Sequence, residues 1–375
     1  MKIRLMKLFD SVLGRIVASV FSKPRIIPAP VVTSILIIRP GGIGDAVLLA
    51  TAVRTFKNNF LNAYVTILAE RRNAGVFLLI PGITRVLCYD RPNELLQAVR
   101  GEFDIVLDTE QWHRLSAVVA RLASAPVKIG FATNERRRMF THTIPYVHDD
   151  YETVSFARLL EPLECRVGEE DFLTPFLFIS DAASATAFSL LDSFQEQPFV
   201  IVFPGASIQE RQWGADRFRQ VAEVLTAFGI KIVVVGGKED RKLGEVITGG
   251  VLGLNLAGMT SLPETAAVIQ RSALLLSGDS GVLHIAVGLG VPTVSLFGPG
   301  RAKKWAPRGD HHIVINKKLP CSPCTTFGTT PPCPYNVRCM QDITVDEVVN
   351  AVTMLLTSVG SMLSKCCKRA WIETE

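Results

Sequence analysis

The sequence predicts an α/β protein built from two doubly wound parallel-sheet domains facing a cleft. Three observations carry that expectation. From Val31 onward, short apolar runs alternate with helical segments, the pattern of parallel strands whose faces are covered by crossover helices. The alternation weakens after Asp181 and resumes as a second, cleaner series at Phe199. The chain has 375 residues, 48% of them hydrophobic, which is enough for two full cores and excludes a disordered class.

Residues 1–30, "MKIRLMKLFDSVLGRIVASVFSKPRIIPAP", precede the first sheet strand. At helical spacing Leu5, Leu8, Phe9, Val12, Leu13, Ile16, Val17 and Val20 form one stripe, with Lys2, Arg4, Lys7, Arg15, Lys23 and Arg25 among the other positions. Arg15 interrupts what would be the apolar region of a signal peptide, and no span approaches the roughly 20 apolar residues that cross a bilayer. Two readings stand: a basic amphipathic helix lying on an anionic membrane, or a helix packed on its own domain. Pro24, Pro28 and Pro30 end it in either case.

The first domain is read over residues 31–185, with strands at 35–38, 64–68, 84–89 and 104–108 and a helix from the first strand to about Phe60. "SDAASATAFSLLDSFQEQ" reads as a helix leading into a linker. The second domain, 186–343, carries strands at 199–203, 231–235, around Asn255, 273–277 and 293–297, with helices between them. Residues 344–375 hold a last helix with no strand after it, expected to pack across the lobes. Ligands of such folds bind at the carboxyl edges of the strands, which places one site in the cleft.

The formal net charge of +5 is small and dispersed. It excludes a nucleic-acid binder and is compatible with an anionic substrate or a membrane surface.

Two glycine-rich turns differ in charge. In "ILIIRPGGIGDAVLLATAVRTF", Gly41, Gly42 and Gly44 lead into Asp45, a carboxylate that would repel phosphate. In "SGDSGVLHIAVGLGVPTVSLFGP", Asp279-Ser280-Gly281 ends an apolar strand and begins a helix, whose first amides suit a pyrophosphate; His284 follows one turn later. A loop on the same edge, "FPGASIQERQW", offers the Ser207 hydroxyl and the Arg211 guanidinium, with Trp213 as an anchor.

Together these segments, with "VVVGGKEDRK" and "LAGMTSLPETAAVIQRSALLL", resemble glycosyltransferase family 9, the heptosyltransferases of lipopolysaccharide assembly. The resemblance covers most of the chain. It implies a GT-B fold, an ADP-heptose donor on the second domain, an acceptor on the first, and inversion at the anomeric carbon without a catalytic cofactor. It also implies work at the cytoplasmic face of the inner membrane on a lipid-linked anionic saccharide. Asp45 falls on the family's general base, which answers its charge: it takes the acceptor hydroxyl's proton. Gly41, Gly42 and Gly44 then serve close approach of a sugar. Ser207 matches the donor-loop hydroxyl and Arg211 stands where the family usually has lysine. Glu239 most nearly matches the acidic residue at the nucleoside, and Thr260 follows the nucleobase-side turn. Asp279, Ser280, Gly281 and His284 match the pyrophosphate signature. Arg136, Arg137 and Arg138 in "NERRRMF", and Arg71-Arg72, are candidates for the anionic acceptor.

Four of the eight cysteines fall within nineteen residues, Cys321, Cys324, Cys333 and Cys339. The spacing suits a structural zinc or iron with four thiolate ligands, and autotransporter heptosyltransferases carry a comparable iron-binding finger; disulfides or free thiols are the other reading. Transfer of a different sugar, transfer to a protein, and non-catalytic binding of a nucleotide-sugar also fit the motifs. A nicotinamide-dependent oxidoreductase does not, because Asp45 would face the cofactor's pyrophosphate and the third glycine is misplaced.

Overall fold

The computed structural model describes residues 10–24, 31–165, 167–168, 172, 175–194 and 197–362. The chain divides into two compact units, Met1–Phe176 and Leu177–Glu375. The division falls before helix Asp181–Leu190, so that helix belongs wholly to the second unit, where the sequence boundary at 185 would have cut it.

In the first unit six parallel strands, β1 (Ser34–Ile38), β2 (Tyr64–Ala69), β3 (Arg85–Cys88), β4 (Ile105–Asp108), β5 (Val127–Phe131) and β6 (His142–Ile144), lie in the order β3-β2-β1-β4-β5-β6. β1 is the pivot: Ile35 sits beside Val65 of β2 on one side and Ile105 of β4 on the other. β1 and β4 are almost entirely buried, as a parallel sheet covered on both faces requires. β5 escapes a reading by hydropathy because Lys128 and Gly130 interrupt it. Lys128 is nevertheless buried, its ammonium spent on the carbonyls of Ala120, Arg121 and Ala123 at the end of helix Arg114–Leu122.

The described part of the N-terminal segment, a π-turn Asp10–Gly14 running into helix Arg15–Val20, is built into this unit. Asp10 is buried and accepts the N–H groups of Arg114 (2.7 Å) and Leu115 (2.8 Å), satisfying orphan donors at the start of helix Arg114–Leu122. Ala18 joins the core formed by Leu36, Ile38, Val106, Ala117 and Ala120. Residues 10–20 are therefore part of the domain rather than a free appendage; residues 1–9 and 25–30 lie outside the described residues.

The second unit repeats the architecture with β7 (Phe199–Phe203), β8 (Lys231–Val234), β9 (Gly253–Asn255), β10 (Leu274–Gly278), β11 (Thr293–Phe297) and β12 (His312–Asn316), ordered β12-β11-β10-β7-β8-β9. Numbered within its own unit and counted from the β9 edge, this is again 3-2-1-4-5-6. Both sheets thus reverse direction between their first and fourth strands, and that crevice at the carboxyl ends is where such sheets bind ligands. The last helix, Val345–Met362, places Val348, Ala351, Val352 and Leu355 in this unit's own core.

Candidate active site

At the first reversal point, Arg39 follows β1 and the chain turns through Pro40-Gly41-Gly42. Gly41 has φ +99°, a left-handed conformation that favours glycine, and its N–H donates to Glu70 (3.2 Å). Gly42, not Asp45, is the N-cap of helix Ile43–Leu48; Gly44 and Asp45 sit in its first turn. Asp45 is therefore free of capping duty, with its side chain 25% exposed.

Beneath Asp45 lies a charge network. Arg39 is 1% exposed and donates to Pro40 O (2.7 Å), Thr109 O (2.9 Å) and Glu110 (3.0 Å), which leaves its guanidinium 3.9 Å from the Asp45 carboxylate. Burial alone would raise the Glu110 carboxyl, but Arg39, His113 and Arg136 outweigh it and hold it below the usual range. The Tyr146 hydroxyl donates to Glu152 (3.2 Å); burial, then the charges of Glu152 and Asp45, push it well above its ordinary pKa, so it stays protonated.

At the second reversal point the signs change. Ser280 caps helix Gly281–Gly288, accepting from the Leu283 N–H (3.2 Å) and pairing with the Ser277 hydroxyl (2.8 Å). Asp279 is buried and binds Arg211 (Nη1 to Oδ2, 3.0 Å), so its carboxylate orients a cation instead of facing an anion. Gly300 is needed opposite, because a Cβ there would enter the Asp279 carboxylate. His284 is buried, and burial followed by the Arg211 charge lowers its pKa to about 4. Arg211 Nε and His284 Nδ1 are buried with no hydrogen-bond partner. Such orphans are costly, and a ligand with acceptor and donor atoms would satisfy them.

The Arg211 loop is held from behind: Trp213 is buried and its indole N–H donates to Ile343 O (3.1 Å). Ser207 is exposed on the same loop. Thr260 pairs with the Thr265 hydroxyl (2.7 Å) and is half-buried, and Glu239 is exposed. Its neighbour Asp240, overlooked in the sequence, is buried against Gly205 and Gly236 and accepts the Gly237 N–H (2.9 Å), pinning the turn after β8 to the loop after β7. Closely spaced glycines around an acid were the available signal. Arg39 and Glu110 were missed as well; charged residues ending two adjacent apolar strands could have flagged them.

The arginine trio is corrected. Arg136 is 0% exposed, paired with Asp108 (2.6 Å) and donating to Glu110 O, so it is a structural cation and does not meet an acceptor. Arg137 and Arg138 are exposed on the same 3-10 turn. Arg71 and Arg72 pair with Asp90 (2.7 Å) and Glu70 (2.6 Å).

Cys321, Cys324, Cys333 and Cys339 line one cavity of about 70 Å³ together with Glu210 and Pro299. The Val337 N–H already donates to Cys333 Sγ (3.3 Å). Burial, then the other cysteines of the cluster, raises the Cys324 and Cys339 thiols, Cys339 to about 11. Four thiols around one cavity suit a thiophilic cation chemically. Among the described residues, however, no three His, Cys, Asp or Glu side chains are arranged to hold a metal ion.

Two sheets of identical strand order, one carrying an acid and the other an arginine and a helix N-terminus at the reversal point, define a GT-B glycosyltransferase. The chain belongs to glycosyltransferase family 9 (heptosyltransferase), whose family model matches residues 93–333. It is 25% identical over 295 residues to lipopolysaccharide heptosyltransferase 3 of Escherichia coli K12, covering 70% of this chain and 82% of that one. Among solved structures it resembles a glycosyltransferase family 9 protein of Veillonella parvula (TM-score 0.74, 20% identity, 88% of this chain and 99% of that one). The E. coli ADP-heptose lipopolysaccharide heptosyltransferase II gives a TM-score of 0.70 at 20% identity, over 87% and 99% of the two chains. The iron-containing dodecameric glycosyltransferase TibC of enterotoxigenic E. coli gives 0.57 at 12%, over 89% and 78%.

Proposed function

We propose that the protein transfers a heptose from ADP-heptose to a lipid-linked, anionic saccharide of the lipopolysaccharide core, with inversion. The observation that carries the donor half is the pair of buried, unpartnered nitrogens of Arg211 and His284 beside the N-terminus of helix Gly281–Gly288. A diphosphate meets that demand: helix amides and a fixed cation favour its charge, and its oxygens supply acceptors. The names of the relatives support heptose and lipopolysaccharide as the two substrates.

In this reading the acceptor oxygen attacks the anomeric carbon, the bond from that carbon to the β-phosphate oxygen breaks, and ADP leaves. The hydroxyl proton passes to the Asp45 carboxylate. Arg211, oriented by Asp279, compensates the charge that grows on the departing diphosphate, with neutral His284, Ser207, Ser280 and the Gly281 amide around it. Glu239 and Thr260 take the nucleoside end. Gly41, Gly42 and Gly44 admit the acceptor sugar to the backbone, and Arg137 and Arg138 meet its anionic groups. No group in this sequence of steps requires a metal; a zinc or iron held by Cys321, Cys324, Cys333 and Cys339 would be structural, since four thiolates fill a tetrahedral shell and leave no position for substrate.

A lipid-linked acceptor places the enzyme on the cytoplasmic face of the inner membrane. Among the described residues no helix is long and apolar enough to cross a bilayer, so attachment there would be peripheral. The direct test is nucleotide release with ADP-, GDP- and UDP-sugars in the presence of a delipidated core saccharide. Release confined to ADP-heptose and dependent on acceptor is expected; release from another nucleotide-sugar only would replace the donor.

A further inference from the structure

The N-terminal segment docks with one face and leaves the other apolar. Asp10, Gly14, Ala18 and Phe21 point into the first unit: Asp10 caps helix Arg114–Leu122, a Cβ on Gly14 would already touch Arg114, Ala18 is fully buried, and Arg121 stacks over the Phe21 ring at 5.5 Å. The opposite face carries Val12, Leu13, Ile16 and Val20, from 45% to 81% exposed. Helix Arg114–Leu122 runs alongside and adds Leu115 (41%) and Leu122 (53%). Six large apolar side chains on two adjoining helices exceed the scattered exposure of an ordinary surface.

We infer that this two-helix face is a docking surface for an anionic lipid bilayer. Charge decides the occupant. Within the described stretch 10–24 the charged side chains are Arg15 and Lys23, both exposed, and Asp10, which is buried. Arg15 makes one long pairing with Glu135 (3.6 Å) and stays largely exposed. A second copy of the chain would bring like charges together across the face, whereas an anionic headgroup layer neutralises them while the apolar side chains enter the acyl boundary. Location supports the same occupant. The loop between β4 and helix Arg114–Leu122, whose N-terminus Asp10 caps, carries Glu110, the partner of Arg39 beside Asp45. Docking here brings the acceptor end of the first unit to the lipid surface. The inference rests on the reading that the acceptor is lipid-linked.

The test is co-sedimentation of the full chain with phosphatidylglycerol-containing and with pure phosphatidylcholine vesicles, for the wild type and for a Val12→Asp, Ile16→Asp, Val20→Asp variant. All three positions are exposed, so folding is retained. Expected are binding of the wild type to anionic vesicles that weakens in high salt, little binding to neutral ones, and a loss of at least tenfold in the variant. Wild-type protein left in the supernatant, or a variant that sediments like wild type, overturns the inference. So does a wild-type dimer in sedimentation velocity that the variant turns into monomer, which would make the face a self-association surface. Transfer to a delipidated saccharide separates the two readings: the variant should retain it, and its absence in the wild type would refute the proposed activity while leaving the vesicle result to stand alone.

Discussion

The two reversal points share a topology and differ in whether the arginine at each has its donors satisfied by the protein. In the first unit Arg39 spends its donors on Pro40, Thr109 and Glu110, and its guanidinium lies 3.9 Å from the Asp45 carboxylate. In the second, Arg211 is held by Asp279 through one nitrogen while its Nε and His284 Nδ1 are left over. On the proposed reading, chemistry falls to the first site and charge binding to the second.

The sharpest way to break that assignment is Asp45→Asn, which keeps size and removes basicity. Turnover should fall on the order of a hundredfold or more, the scale of a lost general base, with donor affinity measured by calorimetry nearly unchanged. Turnover near that of the wild type would remove Asp45 from the mechanism.

Arg211→Ala attacks the other side. The diphosphate gains charge as the glycosidic bond breaks, so kcat should drop by about a hundredfold and donor Kd should weaken less. A change in affinity alone would make Arg211 a binding residue only. The variant also leaves Asp279 as a buried carboxylate without its cation, so Arg211→Lys is the control that keeps the charge.

The arginine trio extends the comparison within the first unit. Arg136→Met strips a wholly buried carboxylate of its partner and should cost about 3–5 kcal/mol of stability in denaturant unfolding. Arg137→Ala with Arg138→Ala should leave stability nearly unchanged and raise the acceptor KM several-fold. Equal effects from both sets would show that the turn, rather than individual side chains, matters.

Much of this was legible in the sequence. β1, β7, β10 and β11 are uninterrupted apolar runs, and the turns after β1 and β10 show their chemistry in the residues themselves. What could not be read depends on distant partners. Three consecutive arginines on a 3-10 turn point different ways, and only Asp108, on another strand, says which is inward. The N-terminal helix looked amphipathic in isolation; that its inner face is set by a carboxylate capping a helix 104 residues later is invisible to periodicity. β5 was hidden because its lysine is neutralised by helix carbonyls rather than by solvent.

The last expected effect concerns protons. Burial, then Arg211, holds His284 near pH 4 in the folded protein against an ordinary value of 6.5. As pH falls through about 6.5 the unfolded chain takes a proton that the fold refuses, so stability should decline from there toward pH 4 and the contribution of this group should flatten below it. The shift is worth at most ~3 kcal/mol at the acid end. His312, lowered to about 4 by burial and then by His311, titrates in the same window, so the curve for His284→Asn should be shallower than that of the wild type and not flat. Unfolding free energies from pH 4 to 8 for both proteins give the difference directly. A diphosphate placed beside Arg211 would oppose the cation that depresses His284, so ADP should also reduce the acid loss in the wild type and have less effect on that slope in the variant. An unchanged slope in His284→Asn would mean that the second site is not as dry as its two unpartnered nitrogens require.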